Sequence, residues 1–350
     1  MSKFLIIGNL GYVGTFLSFF IKKSLSGTTI YGVDNGYFVG NLINPYYSNI
    51  SSIDYQYIAD IRLFSDPNVF KNIDSVIYLA AISNDPMGNK FEEATFDINV
   101  ESAINCALQA KLNGVKNFIY ASSCSIYGSE GIDGLGKIES SPLDPLTAYA
   151  KSKIKAEENL QLLANNDFKI KCLRFATACG ASPRIRLDLV LNDFVASSLL
   201  NKKIDILSDG KPLRPIIDVE DMSKAIVWAA TTNTPLSNFI ALNIGFNDLN
   251  FTIKELAEIV RSVIGNTIIN INYNASPDRR SYKVNFNYYK ELAPECIKFK
   301  PVEVSVQEIA KLIVDSNFNE NNFRSGHLIR LNALNYLINM NHVNQNLFWK

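Results

Sequence analysis

Tyr149 and Lys153 stand four residues apart in the stretch Leu146-Thr-Ala-Tyr-Ala-Lys-Ser-Lys153. On a helix that spacing puts both side chains on one face, a turn from each other. An ammonium beside a tyrosine favours the phenolate and lowers its pKa. A tyrosine poised that way can take a proton from an alcohol while hydride leaves the same carbon. The spacing alone is weak, since a chain of this composition holds roughly one such pair by chance. Its context says more: Ser122-Ser123 follows an apolar run upstream, and a glycine-rich turn opens the chain. Both histidines, His327 and His342, lie near the end. Acid–base chemistry in the first 326 positions therefore falls to Tyr, Lys, Cys or carboxylates.

The opening turn reads Gly8-Asn-Leu-Gly11-Tyr12-Val13-Gly14, directly after an apolar strand and before a helical pattern. Gly8 allows a tight turn, Gly11 lets backbone approach a pyrophosphate, and Gly14 permits close helix–strand packing. The helix N-terminus then faces phosphate. Asp34 closes the second predicted strand, where a carboxylate accepts both hydroxyls of an adenosine ribose. A carboxylate there repels a 2′-phosphate, and no nearby Arg or Lys attracts one, so NAD is expected over NADP. Asp60 and Ile61, past the third strand, are placed to flank adenine. Leu79, Ala80 and Ala81 end the fourth with small residues that leave the cofactor room.

These residues need a scaffold, and the chain supplies a repeating one. Apolar runs at 4–7, 29–33, 54–58, 75–79, 117–121 and 169–174 read as buried strands, with amphipathic stretches at 12–24, 92–112 and 147–165 between them. Such alternation implies an α/β fold with a doubly wound parallel sheet. A nucleotide domain over 1–175 is expected, then a smaller α/β substrate lobe over 176–315 and a C-terminal extension over 316–350. In that extension 316–326 reads as a polar loop. Leu328, Leu331, Leu334, Leu337 and Ile338 predict a helix over 327–340 that docks on the domain or packs in a homodimer.

The chain has 350 residues, 47% hydrophobic and 19% charged, enough for a substantial core. Lys plus Arg equals Asp plus Glu at 34 each, so no global charge draws it to nucleic acid or an anionic membrane. Its five dispersed cysteines include no CxxC, which argues against disulfides or zinc. The N-terminal apolar run is too short for a signal peptide, and none is long enough to span a membrane. A soluble, cytoplasmic protein is expected, with no metal.

Together these residues resemble the extended short-chain dehydrogenase/reductase family, in its NAD-dependent nucleotide-sugar epimerase/dehydratase branch. The likeness runs over roughly residues 3–315 and includes Asn99 and the later Arg214-Pro-Ile-Ile-Asp-Val-Glu-Asp221. It implies a Rossmann-type fold with NAD as cofactor. It makes Tyr149 the catalytic acid/base, Lys153 its tuner and the holder of the nicotinamide ribose, and Ser123 the hydrogen-bond donor to the reacting sugar oxygen. Ser125 is expected against the sugar, Asn99 supporting the central helix near the cofactor, and Arg214 and Arg280 on the substrate diphosphate. The loop after the sixth strand brings Thr177, Arg184 and Asn192 to the substrate. Arg184 and Arg186 are close enough in sequence to reach the base or phosphates, and can equally pair with Asp188 and Asp193.

Departures narrow the reaction. The Asp-Glu pair of 4,6-dehydratases is replaced by Cys124-Ser125, and the cysteine and histidine of 3,5-epimerase-reductases are missing from their places. The resemblance thus implies oxidation at C4 of a nucleoside-diphosphate sugar, by a 4-epimerase or 4-dehydrogenase of surface polysaccharide biosynthesis. A 4-ketoreductase and a non-catalytic NAD-binding scaffold are the alternatives.

Overall fold

The computed structural model describes residues 2–44, 52–64, 66–128, 136–232, 234–275, 281–296 and 298–350. Its largest element is a seven-stranded sheet. The strands are β1 (Lys3–Ile7), β2 (Thr29–Asp34), β3 (Tyr55–Ile58), β4 (Ser75–Tyr78), β5 (Asn117–Ser123), β6 (Lys169–Phe175) and, after a long excursion, Phe239–Ile244. The excursion holds β7 (Thr177–Cys179), β8 (Lys203–Ile206) and β9 (Leu213–Asp218), which makes Phe239–Ile244 strand β10; β11 (Asn250–Thr252) and β12 (Ile268–Ile271) follow. The spatial order is β10-β6-β5-β4-β1-β2-β3, and every pair is parallel.

Alternation along a strand explains how both faces are covered. Leu5 and Ile7 point into one core, shared with the helices Ser102–Leu112 and Ala148–Leu163. Phe4 and Ile6 point into another, shared with the helices Tyr12–Ser24 and Val219–Thr231. A third core, built on Leu187, Leu191, Ile204, Leu256 and Ile309, belongs to the lobe. The lobe carries a small sheet of β11, β9 and β7 and a parallel pair of β12 with β8. The expected stretch 92–112 forms two helical segments joined by one wider turn, Asp97–Glu101.

Two expectations are corrected. The run ending at Ile58 is not buried: β3 pairs on one side only, and Tyr55 and Ile58 stay exposed. No single cut at 175 separates nucleotide domain from lobe. β10 pairs with β6 from Phe239↔Ile170 to Ile244↔Phe175, and the helix Val219–Thr231 lies under the same sheet. The expected C-terminal helix forms as Arg330–Asn339, and it and the segment after it dock on the nucleotide side, where Leu334, Val343 and Leu347 join the core. Arg62 donates to the carbonyls of Asn346 (2.6 Å) and Leu347 (2.8 Å) and lies over the Phe348 ring. Tyr37 donates to Leu347, and the Trp349 indole to the Asn35 carbonyl.

Candidate active site

The C-terminal ends of the parallel strands open into one cavity of about 1110 Å³. Residues Ile7-Gly8, Val33-Asp34, Leu79-Ala80-Ala81, Ala121-Ser122-Ser123 and Phe175 to Ala178 line it, as the crevice rule for open α/β sheets requires. Arg214 and Tyr282 close it from the lobe side.

Tyr149 is delivered by the helix Ala148–Leu163. Thr147 caps that helix, accepting from the Ala150 amide, and donates to Asp85 at 2.7 Å. Ser123 ends β5, and its hydroxyl accepts from the Ser125 amide at 3.1 Å. The Ser123 and Tyr149 side chains both line the cavity. Burial pushes the Tyr149 hydroxyl up to about 12, although Ser123 and Arg186 pull it down. Burial thus outweighs the lowering expected from a neighbouring ammonium. The Lys153 ammonium donates to the Ala121 carbonyl at 2.7 Å, and burial holds it down to about 7. A turn later, Glu157 accepts from Ser122 (2.5 Å) and Arg174 (2.7 Å), fixing the helix against β5 and β6.

At the other end, Gly8 sits at φ +91, and a Cβ on it would meet Ala80 N at 2.6 Å. A Cβ on Gly14 would lie 2.4 Å from the Gly8 carbonyl. Gly11 caps the helix Tyr12–Ser24 without any side-chain cap, which leaves its first amides facing the cavity. Tyr12 and Val13 also line the cavity, and the Tyr12 hydroxyl ties the turn to the lobe through the Gly180 carbonyl at 2.8 Å. Asp34 accepts from the Leu10 amide (3.0 Å) on one oxygen and the Gly36 amide (2.8 Å) on the other. Burial still raises its pKa.

Residues 4–245 match the NAD dependent epimerase/dehydratase family. The chain belongs to that family. It is 29% identical over 261 residues to the bifunctional protein GAL10 of Pachysolen tannophilus, a match that takes in 65% of this chain and 36% of that one. It is 25% identical over 236 residues to the uncharacterized UDP-glucose epimerase YtcB of Bacillus subtilis, with 64% and 71% covered. Among solved structures, the UDP-glucuronic acid 4-epimerase of Bacillus cereus, in complex with UDP-glucuronic acid and NAD, superposes with a TM-score of 0.75 at 20% identity. That match covers 89% of this chain and 99% of that one.

This family member is an NAD-dependent enzyme, and its residues fit the cofactor. The Gly8–Gly14 turn leaves space where side chains would clash, the helix amides are open, and Asp34 stands where an adenosine ribose is held. Of the residues expected at the cofactor, Ile61, Leu79, Ala80, Ala81 and Lys153 line the cavity. Two do not. Asp60 turns both oxygens to Arg62, at 2.9 and 2.5 Å, because that arginine holds the C-terminal segment. Asn99 is fully buried one layer behind, clasping the Ile82 backbone and donating to Ser152 at 2.9 Å.

Of the residues expected at the substrate, Ser125, Thr177 and Arg214 line the cavity. Ser125 Oγ is buried without a hydrogen-bond partner, a donor and acceptor ready for a ligand. Arg214 donates to the Leu213 carbonyl and lies 5.8 Å from the Tyr282 ring. Arg184 and Asn192 are corrected. Arg184 points under the glycine turn, donating to Thr15 at 2.9 Å, because the loop folds back along the helix Tyr12–Ser24. Asn192 is buried, bracing Gly180 and Arg186 backbone. Arg280 lies outside the described residues.

Arg186, one of the two arginines expected to reach the ligand or to pair with Asp188 and Asp193, lines the cavity. It pairs with Asp188, at 2.9 Å, and also donates to Ser83, while Asn84 donates to Asp188. Asp193 pairs instead with Arg324. Sequence reasoning missed Arg330, which also lines the cavity, in a helix read only for its leucines. Its signal was a charged residue at the start of an otherwise apolar stripe.

Proposed function

We propose that the enzyme interconverts the 4-hydroxyl and 4-keto forms of a nucleoside-diphosphate sugar, with 4-epimerisation as its net reaction. The observation that carries this reading is one cavity lined by Ser123, Tyr149, Lys153 and Arg214 together, with the Lys153 ammonium 5.6 Å from the centre of the Tyr149 ring. Bound NAD supplies reversible hydride acceptance. Tyr149 removes the proton of the sugar hydroxyl and returns it on the way back. Ser123, in the same cavity wall, steadies the same sugar oxygen. Lys153, beside the Tyr149 ring, favours the developing phenolate when protonated and is suited to the nicotinamide ribose. Arg214 presents a planar, always-charged fork suited to a diphosphate.

No carboxylate follows Ser123 in the chain: Cys124 is buried and donates to the Arg174 carbonyl, with burial pushing its thiol up. That supports redox at C4 over loss of water from the sugar. Provision of sugar nucleotides for a surface polysaccharide is the setting proposed for this reaction.

The test is a panel of UDP-, GDP-, CDP- and dTDP-sugars carrying deuterium at C4, with products identified by NMR and NADH followed by absorbance. A 4-epimer that keeps the deuterium is expected. Accumulating NADH with a 4-keto product would make the enzyme a dehydrogenase, and no turnover of any sugar nucleotide would sink the reading.

A further inference from the structure

Arg330 opens the helix Arg330–Asn339, beyond the stretch that matches the family, yet its side chain lines the cavity. It is 2% exposed, its guanidinium lies 4.7 Å from the centre of the Phe38 ring, and Nη2 donates to the Arg184 carbonyl at 2.8 Å. Nη1 has no partner. A buried guanidinium nitrogen left unbonded is costly, which makes an unpaired one in a cavity wall a place to look for a ligand.

The neighbours say what kind. Arg330 interacts electrostatically with Arg186, Asp188, Arg184 and Asp34. Arg186 spends its nitrogens on Asp188 and Ser83, and Arg184 donates to Thr15 and the Val39 carbonyl. Three arginines thus face two aspartates, leaving one positive charge over. Burial first, then Arg186 and Arg184, push the Arg330 guanidinium down to about 9, the mark of a cation short of an anion. Position narrows the anion further. Asp34 marks the adenosine ribose, whereas Arg186 interacts with Tyr149 at the reacting end. Between ribose and nicotinamide lies the dinucleotide's diphosphate.

We infer that Arg330 is a cofactor-binding residue whose free Nη1–H takes an oxygen of the NAD diphosphate, opposite the amides of the glycine turn. The inference rests on NAD being the cofactor. It gives the C-terminal helix a role in dinucleotide binding in addition to its packing.

Calorimetry on the cofactor-free full chain tests it, with NAD, ADP-ribose, adenosine and UDP as probes. Arg330→Met should weaken NAD and ADP-ribose about 10- to 100-fold and leave adenosine and UDP within about twofold. Arg330→Lys, which keeps the charge and is the variant to use if Arg330→Met fails to fold, should lose at least about fivefold for NAD by breaking the fork. Equal loss for adenosine and NAD would reduce Arg330 to a brace of the Phe38 loop and overturn the inference. So would unchanged NAD affinity in both variants. A wild type that does not bind NAD overturns the cofactor assignment with it, so the two failures are told apart.

Discussion

The Lys153 ammonium passes by Tyr149 without bonding it: Nζ lies 5.6 Å from the centre of the Tyr149 ring and donates to the Ala121 carbonyl. A second N–H donates to the Tyr120 hydroxyl at 3.3 Å, which leaves one for a ligand. Held down to about 7 by burial, the lysine titrates within the working range of an enzyme. Between about pH 7 and the ordinary 10.5 the unfolded chain binds more protons than the folded one. Stability from this site thus rises with pH across that window and is lost as pH falls through 7. The Tm of Lys153→Met minus that of wild type, measured without cofactor, should be larger at pH 6 than at pH 9. A difference that does not change with pH contradicts the buried-lysine account.

Tyr149→Phe keeps the ring and its packing and deletes the hydroxyl. Turnover on the active sugar nucleotide should fall about 10²- to 10⁴-fold with NAD affinity intact. Ser123→Ala removes a hydroxyl that lowers the Tyr149 pKa, so the rising alkaline limb of the rate profile should move to higher pH. Pre-steady-state rates against pH check both.

Asp34 holds two backbone amides in the cavity wall and is proposed to hold the adenosine ribose. Hydrogen bonds to a charged partner contribute about 1.5–3 kcal/mol each. Asp34→Ala should weaken NAD by at least about tenfold and narrow or reverse the preference over NADP, as read by competitive binding.

Arg214→Ala should raise the Kd for the sugar nucleotide about 10- to 100-fold and leave NAD nearly unchanged. A loss of NAD affinity instead would move Arg214 out of the substrate site.

Gly88 lies in the short helix Asp85–Lys90, where an added Cβ would come within 3.0 Å of Tyr149 Cβ and 3.1 Å of its amide nitrogen. Gly88→Ala should displace the tyrosine by a few tenths of an ångström and lower kcat several-fold, with NAD affinity unchanged. Parallel kcat and NAD-binding measurements on the folded variant decide it.

Much of this was legible in local pattern. The first six strands, the glycine turn, Asp34 and the Ser123–Tyr149–Lys153 set each announce themselves within a few residues. What escaped depends on partners distant in the chain. β10 looks like any short strand until β6 is seen beside it, and β3 is apolar enough to pass for a central strand while standing at the edge. Arg184 and Arg186 are two residues apart on one loop, yet only Arg186 enters the cavity. Spacing cannot separate them, because the turn of the backbone between them decides which way each points. Arg330 was hidden because a leucine stripe describes how a helix packs and says nothing of the residue at its first turn.

The pairing of β10 with β6 also bears on how the chain reaches this state. Residues 176–238 must find their own arrangement before β10 can close the sheet, a long loop to bring together. Until then β6 presents an open edge bearing Ile170, Cys172 and Leu173, all buried in the finished protein. Folding should be slow for a chain of this size, with an intermediate prone to pair its bare edge with another copy. Refolding yield should therefore fall with protein concentration, and substitutions that loosen the lobe should show up first as aggregation.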